Sequence, residues 1–598
     1  MARYLFDIET DGLLEDLTKV HCIVLCDLDT GERGSYPPDA ITEALYHLER
    51  ATELWGHAIQ SFDIPAIKKV YPVWTTDAVV YDTLVLSHLL WPDTFDEDIA
   101  LINSGKMPRK NSKGESLIKR HSLEAWGYRL GELKGDFKST TDWKEFSQEM
   151  LDYCIQDTAV NLALYRRIQA AQPSPTAVRL EHEFSACLDQ MMACGVAFNV
   201  EAARRISEEL MVERVTIDQD IRRQFPGWTE EYETPKKKQK KTRFIEFNPG
   251  SRQRVARMLQ ETCGWKPKEY TETGLVELSE DILGELSYPI AKSLARRFML
   301  EKRLSALAEG DGSYLDLQKA SRIHGYIGHN GTVTGRCTHS KPNLGNIVAV
   351  DKPYGKEIRG LFGPSEGMVQ VGCDLSGLEL RMLAHYLAWY DGGAYAQTIL
   401  KGDIHTANQK AAGLATRNQA KTFIYAFLYG AGPEKLGSVA GGGRVRGLSL
   451  RKSFLAKTPG LSRLLRAVVD HVGGEHVTRQ DGRVVRVRPD DPLKPLRAID
   501  GRYIHIRSEH SALNALLQSA GAIVTKKATC LAVEAAKGLG ANLILHVHDE
   551  FQFECPPENA EALGKACVQA IKDAGQFFNL RIPLDGEYKI GKNWAETH

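Results

Sequence analysis

Between Thr416 and Gly430 four side chains recur every four residues: Arg417, Lys421, Tyr425 and Tyr429. At 3.6 residues per turn this spacing draws one stripe drifting slowly around an α-helix. Thr416 and Gln419 are spaced as a capping box at its start, and Gly430 is a natural stop at its end. The two cations fall near the helix N-terminus, where free N–H groups already favour phosphate. The tyrosines follow one and two turns on, where a sugar and a base would sit beyond that phosphate. A helix that only packs would turn aliphatic side chains along this stripe. Any fold for this chain must therefore set an open site against a cationic and aromatic helix face.

Two sets of carboxylates stand out elsewhere. Asp374 ends an apolar strand, Met368–Asp374, ahead of a helix from about Leu378, and the strand-to-helix junction is common in many folds. His548-Asp549-Glu550 fills a turn between two apolar strands, Asn542–His546 and Phe551–Glu554, a place where charges are usually just solvated. Together, two aspartates at adjacent strand ends could bridge two Mg²⁺ ions, one activating a hydroxyl and the other holding a triphosphate. In the second set, Asp7 and Glu9 are two apart on a strand and project to one face. Asp63 lies at a strand-to-helix junction, and Tyr153 and Asp157 share a helix face at i and i+4. Four carboxylates from separate segments make a hard, oxygen-rich site suited to Mg²⁺ or Mn²⁺. The tyrosine hydroxyl could orient a water there.

With 598 residues the chain is too long for one core, so several domains are expected. The formal net charge of −1 argues against a general electrostatic coating of nucleic acid, leaving local basic patches to make any such contact. The 11 cysteines include no C-x-x-C pair and read as reduced, buried thiols. The charged N-terminus and the lack of a long apolar run point to a soluble, cytoplasmic protein. A hairpin is predicted around Asp29-Thr30-Gly31, helices after Asp63 and over Ser147–Gln169, and a linker at Ala171–Pro175. A mostly helical stretch follows, with Asn199 as an N-cap, broken by the basic run Pro235–Lys241, a solvated loop or a DNA-backbone contact. Ala440–Gly443 reads as a flexible break.

The N-terminal acids with Tyr153 resemble the DEDD exonucleases of the tyrosine subclass. The resemblance implies an RNase-H-like fold and a 3′→5′ nucleotide-removing reaction. Where that family has Asn a few residues before the third acid, this chain has Ala58. The R-x₃-K-x₃-Y-x₃-Y-G helix is similar to the nucleotide-binding helix of family A DNA polymerases, the DNA polymerase I family. The likeness extends over nearly the whole chain and includes T-G-R-C-T-H-S-K-P-N at 334–343. The segments at 121–132, 82–87 and 402–406 and the terminal N-W-A-E-T-H resemble in particular the replicative enzymes of short-tailed phages of the T-seven type.

This resemblance implies an α/β multidomain chain. A DEDD exonuclease would occupy 1–172, a helical thumb 176–320, an antiparallel-sheet palm 321–400 and 512–598, and helical fingers 401–511. It implies Asp374 and Asp549 as metal ligands with the Leu375 carbonyl assisting, and Glu550 as a secondary acid near the primer terminus. Arg417, Lys421 and His405 would hold the triphosphate, and Tyr429 would lie beside the template base. Glu379, packed against Tyr425, would be the steric gate against a ribose 2′-hydroxyl. Arg336, His510, Asn514 and Gln518, with His548, would contact DNA in the minor groove of the new base pair. Where the family often has Gln after P-N, this chain has Asn346.

Tyr425 in place of Phe supplies a hydroxyl where the incoming 3′-hydroxyl would sit, so ready use of dideoxynucleotides is expected. The implied partners are primer-template DNA, deoxynucleoside triphosphates, a helicase-primase and a single-stranded-DNA-binding protein. A member of the phage subgroup carries a long thumb insertion that binds host thioredoxin. Here the corresponding region, about Gln224–Phe247, is short and mostly basic, so little or no thioredoxin dependence is expected. Two rival readings remain at this level: a single-subunit RNA polymerase, against which the exonuclease acids and Glu379 speak, and a non-catalytic DNA-binding relative, which would have lost acids that are all present.

Overall fold

A computed structural model describes residues 2–132, 143–233, 240–271, 273–474, 476–478, 484–486 and 492–598. The chain forms two compact units, one of residues 1–194, 327–339 and 371–590 and one of residues 195–326, 340–370 and 591–598. Among the described residues no helix is long and apolar enough to cross a membrane.

The larger unit holds two sheets. The N-terminal sheet has five strands in the order Arg33–Tyr36, Val20–Asp27, Arg3–Thr10, Glu53–Gly56, Val79–Asp82. The first three are antiparallel and the last two are added in parallel. Alternation along Arg3–Thr10 sends Phe6 and Ile8 into one core with Ile23, Leu48 and Leu54, and Leu5 into another with Trp55, Trp126 and Val160. The helix Gln148–Ala171, capped by the Ser147 side chain, packs on this sheet.

The second sheet runs Asn542–Val547, Glu550–Cys555, Val369–Leu375, Gly586–Gly591. The nearly all-buried helix Ala512–Ala536 and the helix Ala560–Phe577 pack closely together beside it. Short helices between Ala394 and Gly473 carry the cationic–aromatic stripe. The expected break at Ala440–Gly443 includes Gly441, at φ 68° with open space about it, and is flanked by two close approaches. A Cβ on Gly437 would stand 2.1 Å from the Gly443 carbonyl, and one on Gly447 would stand 1.7 Å from that of Pro433. Glycine serves the turn at Gly441 and close approach at Gly437 and Gly447.

A buried ion cluster ties these parts together. Glu181, on the helix Pro175–Cys194, accepts from Lys526 and Arg502, each at 2.6 Å, and from His329 Nδ1 at 2.8 Å. This helix, expected to open the thumb, therefore packs into the larger unit. Burial alone would favour a neutral Glu181, but the two cations hold its pKa well below the ordinary range.

The smaller unit is built on the long helices Val200–Gln224 and Pro289–Leu307, the first capped by Asn199. They close over Phe247, Val255, Leu259, Leu294 and Phe298. Its three-stranded sheet runs Phe362–Gly363, Val196–Phe198, Arg322–Ile323. Buried Trp594 packs edge-on to Phe362, with the Arg359 guanidinium over its ring. The Gln224–Phe247 region, read as mostly basic, contains an antiparallel hairpin, Gly227–Glu233 with Lys240–Glu246. Its first strand is acidic and its second basic, so the charges pair across it, Glu230 with Arg243 among them. Of the basic run Pro235–Lys241, only Lys240 and Lys241 fall within the described residues.

Candidate active sites

The stripe helix forms as its spacing predicts, over Arg417–Leu428, with both halves of the Thr416–Gln419 capping box made. Ala420, Phe423, Ile424 and Phe427 are buried on one face, the two phenylalanines against Phe454. That leaves Arg417 and Lys421 exposed and stacks Tyr425 on Tyr429 at 6.5 Å. Arg417 Nε donates to Asp403 Oδ2 at 2.6 Å, and Asp403 also caps the helix Ile404–Ala412. The arginine, first among several hydrogen bonds, holds the Asp403 carboxyl far below its usual range. His405 lies beside the cations; burial and then the Arg417 charge lower its pKa. Its Nδ1 is buried without a hydrogen-bond partner among the described residues.

Asp374 is exposed near the end of Val369–Leu375, and the Leu375 amide donates to the Asp549 carbonyl at 3.1 Å, so the two aspartates sit on neighbouring backbone. Asp549 occupies a two-residue turn with His548, whose φ of 58° closes it. Burial, and next the Glu379 charge, raise the pKa of Asp549. A pocket of about 530 Å³ gathers Asp549 and His548 with Arg336, Glu379 and Gln518. Asn514 and Gln518 are the half-exposed stripe on an otherwise buried stretch of helix, and His510 lies in a short 3₁₀ turn just before it.

Two expectations shift here. Glu379 is hydrogen-bonded by Tyr429, whose hydroxyl donates at 2.9 Å, where a contact with Tyr425 was expected. Tyr425 still feels that carboxylate: burial and then the Glu379 and Asp549 charges raise its pKa. Glu550, read as part of the turn, is the first residue of the strand Glu550–Cys555 and is buried, with Gln552 donating to its carboxylate two residues along the same face.

The N-terminal acids also converge. Asp7, Glu9, Asp63, Tyr153 and Asp157 line one open cleft of about 1320 Å³ with His57, Ala58 and Trp143. Glu9, Asp63, Tyr153 and Asp157 are each less than a tenth exposed. Burial, then the charges of Asp7 and Asp82, push Asp63 well above the ordinary carboxylate range. Burial, Asp157, Glu9 and Asp7 likewise keep the Tyr153 phenol protonated. A hard cation relieves such crowding, and the oxygen donors fit one. Cys154 is closer than spacing alone could show: its Sγ lies 3.5 Å from Asp7 Oδ2, and ligand atoms of Asp7, Glu9 and Cys154 all fall within 4.8 Å of one another.

Residues 219–596 match the sequence profile of DNA polymerase family A. The DNA-directed DNA polymerases of Enterobacteria phage T3 and Escherichia phage T7 are 33% and 34% identical to the chain, each alignment covering 99% of both proteins. This chain belongs to DNA polymerase family A. The polymerase also shares its fold with the POL domain of Pol1 from M. smegmatis, solved with DNA primer-template and dNTP, at a TM-score of 0.73 and 19% identity over 99% of the chain and 96% of that domain. The phage alignments span 720 positions, more than the 598 residues of the polymerase, so those relatives carry segments that it lacks.

Asp82 and Asp403 are the acids that spacing did not single out. Asp82 accepts from the amides of Ala58, Gln60 and Leu84, holding the loop that carries His57 and Ala58. Both are helix N-caps, and an Asp directly before a helical run was the available signal.

Proposed function

We propose that this family A polymerase extends a DNA primer by two-metal-ion nucleotidyl transfer from deoxynucleoside triphosphates and trims the 3′ end at a second two-metal site. The observation that carries the first half is the meeting of Asp549 and Glu379 with the aromatic end of the stripe helix. Mg²⁺ pairs, for which Mn²⁺ can substitute, supply the activation of a 3′-hydroxyl or water and the neutralisation of phosphate charge. Asp374, Asp549 and the Leu375 carbonyl would hold one pair; Asp7, Glu9, Asp63 and Asp157 would hold the other.

The chain's own groups do the rest. Arg417 exchanges Asp403 for a phosphate oxygen, and Lys421 and His405 complete the triphosphate grip. Glu379, fixed by Tyr429, fills the space a 2′-hydroxyl would need. Arg336, His510, Asn514, Gln518 and His548 test the new pair through the minor groove, whose acceptors fall in equivalent places for every correct pair. Tyr153 orients the water that removes a nucleotide, which makes the trimming activity proofreading. The substrate partners are primer-template DNA and dNTPs, and replication of phage DNA beside a helicase-primase and a single-stranded-DNA-binding protein is the setting.

Primer extension with Mg²⁺ tests both halves. Asp549→Ala is expected to lose synthesis by on the order of a thousandfold while keeping degradation, and Asp7→Ala to do the reverse. Loss of both activities in either variant, with the fold intact, would reject the two-site reading.

A further inference from the structure

One turn of the helix Pro175–Cys194 reaches three elements that carry residues of the Asp549 pocket. Glu181 and Phe184 make those contacts, and both stand outside the pocket lining. The first element is the segment that carries Arg336. Glu181 is bonded to His329 Nδ1 at 2.8 Å and to Arg502 at 2.6 Å. Arg502 lies 3.5 Å from Asn330 Oδ1, and each of these two groups is 3.1 Å from the place a Cβ on Gly335 would occupy. Gly335 precedes Arg336 and turns the chain at φ 79°. The backbone that aims Arg336 therefore leans on the Glu181–Arg502 pair.

The second element is the helix Ala512–Ala536. Lys526 Nζ donates to Glu181 at 2.6 Å, about two turns along that helix from Gln518. The third is the strand Asn542–Val547, which runs into the Asp549 turn. Phe184 meets the His546 ring edge-on at 5.1 Å, and Lys526 Nζ lies 5.5 Å from the centre of the Phe184 ring. Glu181, Phe184 and Lys526 are at most 1% exposed, so no water can stand in for a lost contact. A carboxylate shared by two buried cations cannot follow one of them without unpairing the other, which is strongly unfavourable.

We propose that Glu181 is a positioning residue for base-pair checking: it fixes the spacing between Arg336 and Gln518. The inference rests on the reading in which these two side chains touch the minor groove of the new pair. Two donors held at a set separation reach the acceptors of a correctly shaped pair together, and a misshapen pair leaves one of them unmet. Donors free to follow a displaced acceptor would accept both pairs.

The test uses the whole chain carrying Asp7→Ala, so that trimming does not erase mispaired ends. Glu181→Asp keeps the charge and withdraws it by about 1.5 Å, one carbon–carbon bond. The ratio of kcat/KM for extending a matched primer end over a mispaired one is expected to fall about tenfold. Arg336→Ala should lower the same ratio, and in the Glu181→Asp, Arg336→Ala double variant the two losses should not add, because both act on one contact. Glu181→Gln with Lys526→Met removes a buried charge pair together at similar volume, and should lower the ratio likewise if the aspartate variant does not fold. A merely structural role would lower the denaturation midpoint and leave the ratio alone. An unchanged ratio in the folded Glu181 variants, or losses that add fully to that of Arg336→Ala, would overturn the assignment. If Arg336→Ala itself leaves the ratio unchanged, the minor-groove reading fails and takes this assignment with it; an Arg336 effect without a Glu181 effect sinks the assignment alone.

Discussion

The two acidic sites stand on different ground. The N-terminal one crowds its acids: four of its five key groups are less than a tenth exposed, and the charges acting most on Asp63 are other acids. The site around Asp549 is mixed: Asp374 is exposed, Asp549 is raised by burial, and cations lie close by, with Arg336 3.7 Å from Glu379. Crowded acids bind protons tightly unless a cation arrives, so the N-terminal site should be the more dependent on divalent metal for its ionisation. Under the proposed function the mixed site would divide its charge between metal and protein, because a triphosphate brings its own negative charge and needs fixed cations to receive it.

The largest effect that separates the two sites is the stability change on metal binding. A carboxyl raised above its unfolded value binds its proton more tightly in the folded state, so metal-free stability falls as pH rises from about 4 toward the folded value. Mg²⁺ at about a hundred times its Kd should restore about 2.7 kcal/mol, and thermal melts with and without it read the gain. Asp63→Asn should flatten the metal-free pH slope; a slope unchanged in that variant would show that the crowding lies elsewhere.

Comparable in size, Glu379→Ala is expected to raise ribonucleotide incorporation about a hundredfold relative to deoxynucleotides, in competition assays. Tyr429→Phe should do so more weakly, since it only frees the carboxylate. A Glu379→Ala enzyme with unchanged sugar selection would remove the gate from this residue.

About one hydrogen bond is at stake at Tyr425. The phenol hydroxyl should let dideoxynucleotides terminate synthesis readily, and Tyr425→Phe should worsen their use about tenfold. Identical termination ladders from both enzymes would leave the hydroxyl without this role.

The smallest effect belongs to the N-terminal site. Ala58 sits at φ 65°, a left-handed conformation that costs a residue with a side chain about 1 kcal/mol. Ala58→Gly is expected to stabilise the protein by about that amount in denaturant melts. A loss of stability would mean that the Asp82 bonds to this loop already absorb the strain.

Much of this was legible along the chain because it depends on neighbours within a turn or two. Arg417–Leu428 forms with its capping box and Gly430 stop, and Asp7 and Glu9 share a strand face as alternation requires. The Asp549 turn was readable as a hairpin, although its two-residue length, which draws Glu550 into the strand, was not. The acidic–basic hairpin after Pro226 was hidden because the segment's net charge masks which strand each charge joins.

By itself, then, the order of residues determined the local elements and the face each would present, since helix and strand periods are properties of a few consecutive side chains. Only the tertiary structure decided which partner each group takes. Tyr429 bonds Glu379, Arg417 bonds Asp403, Glu181 collects three donors from distant segments, and Cys154 comes to lie beside Asp7. Those choices turn on differences of an ångström or so between residues tens to hundreds of positions apart, and such distances are set when the cores close.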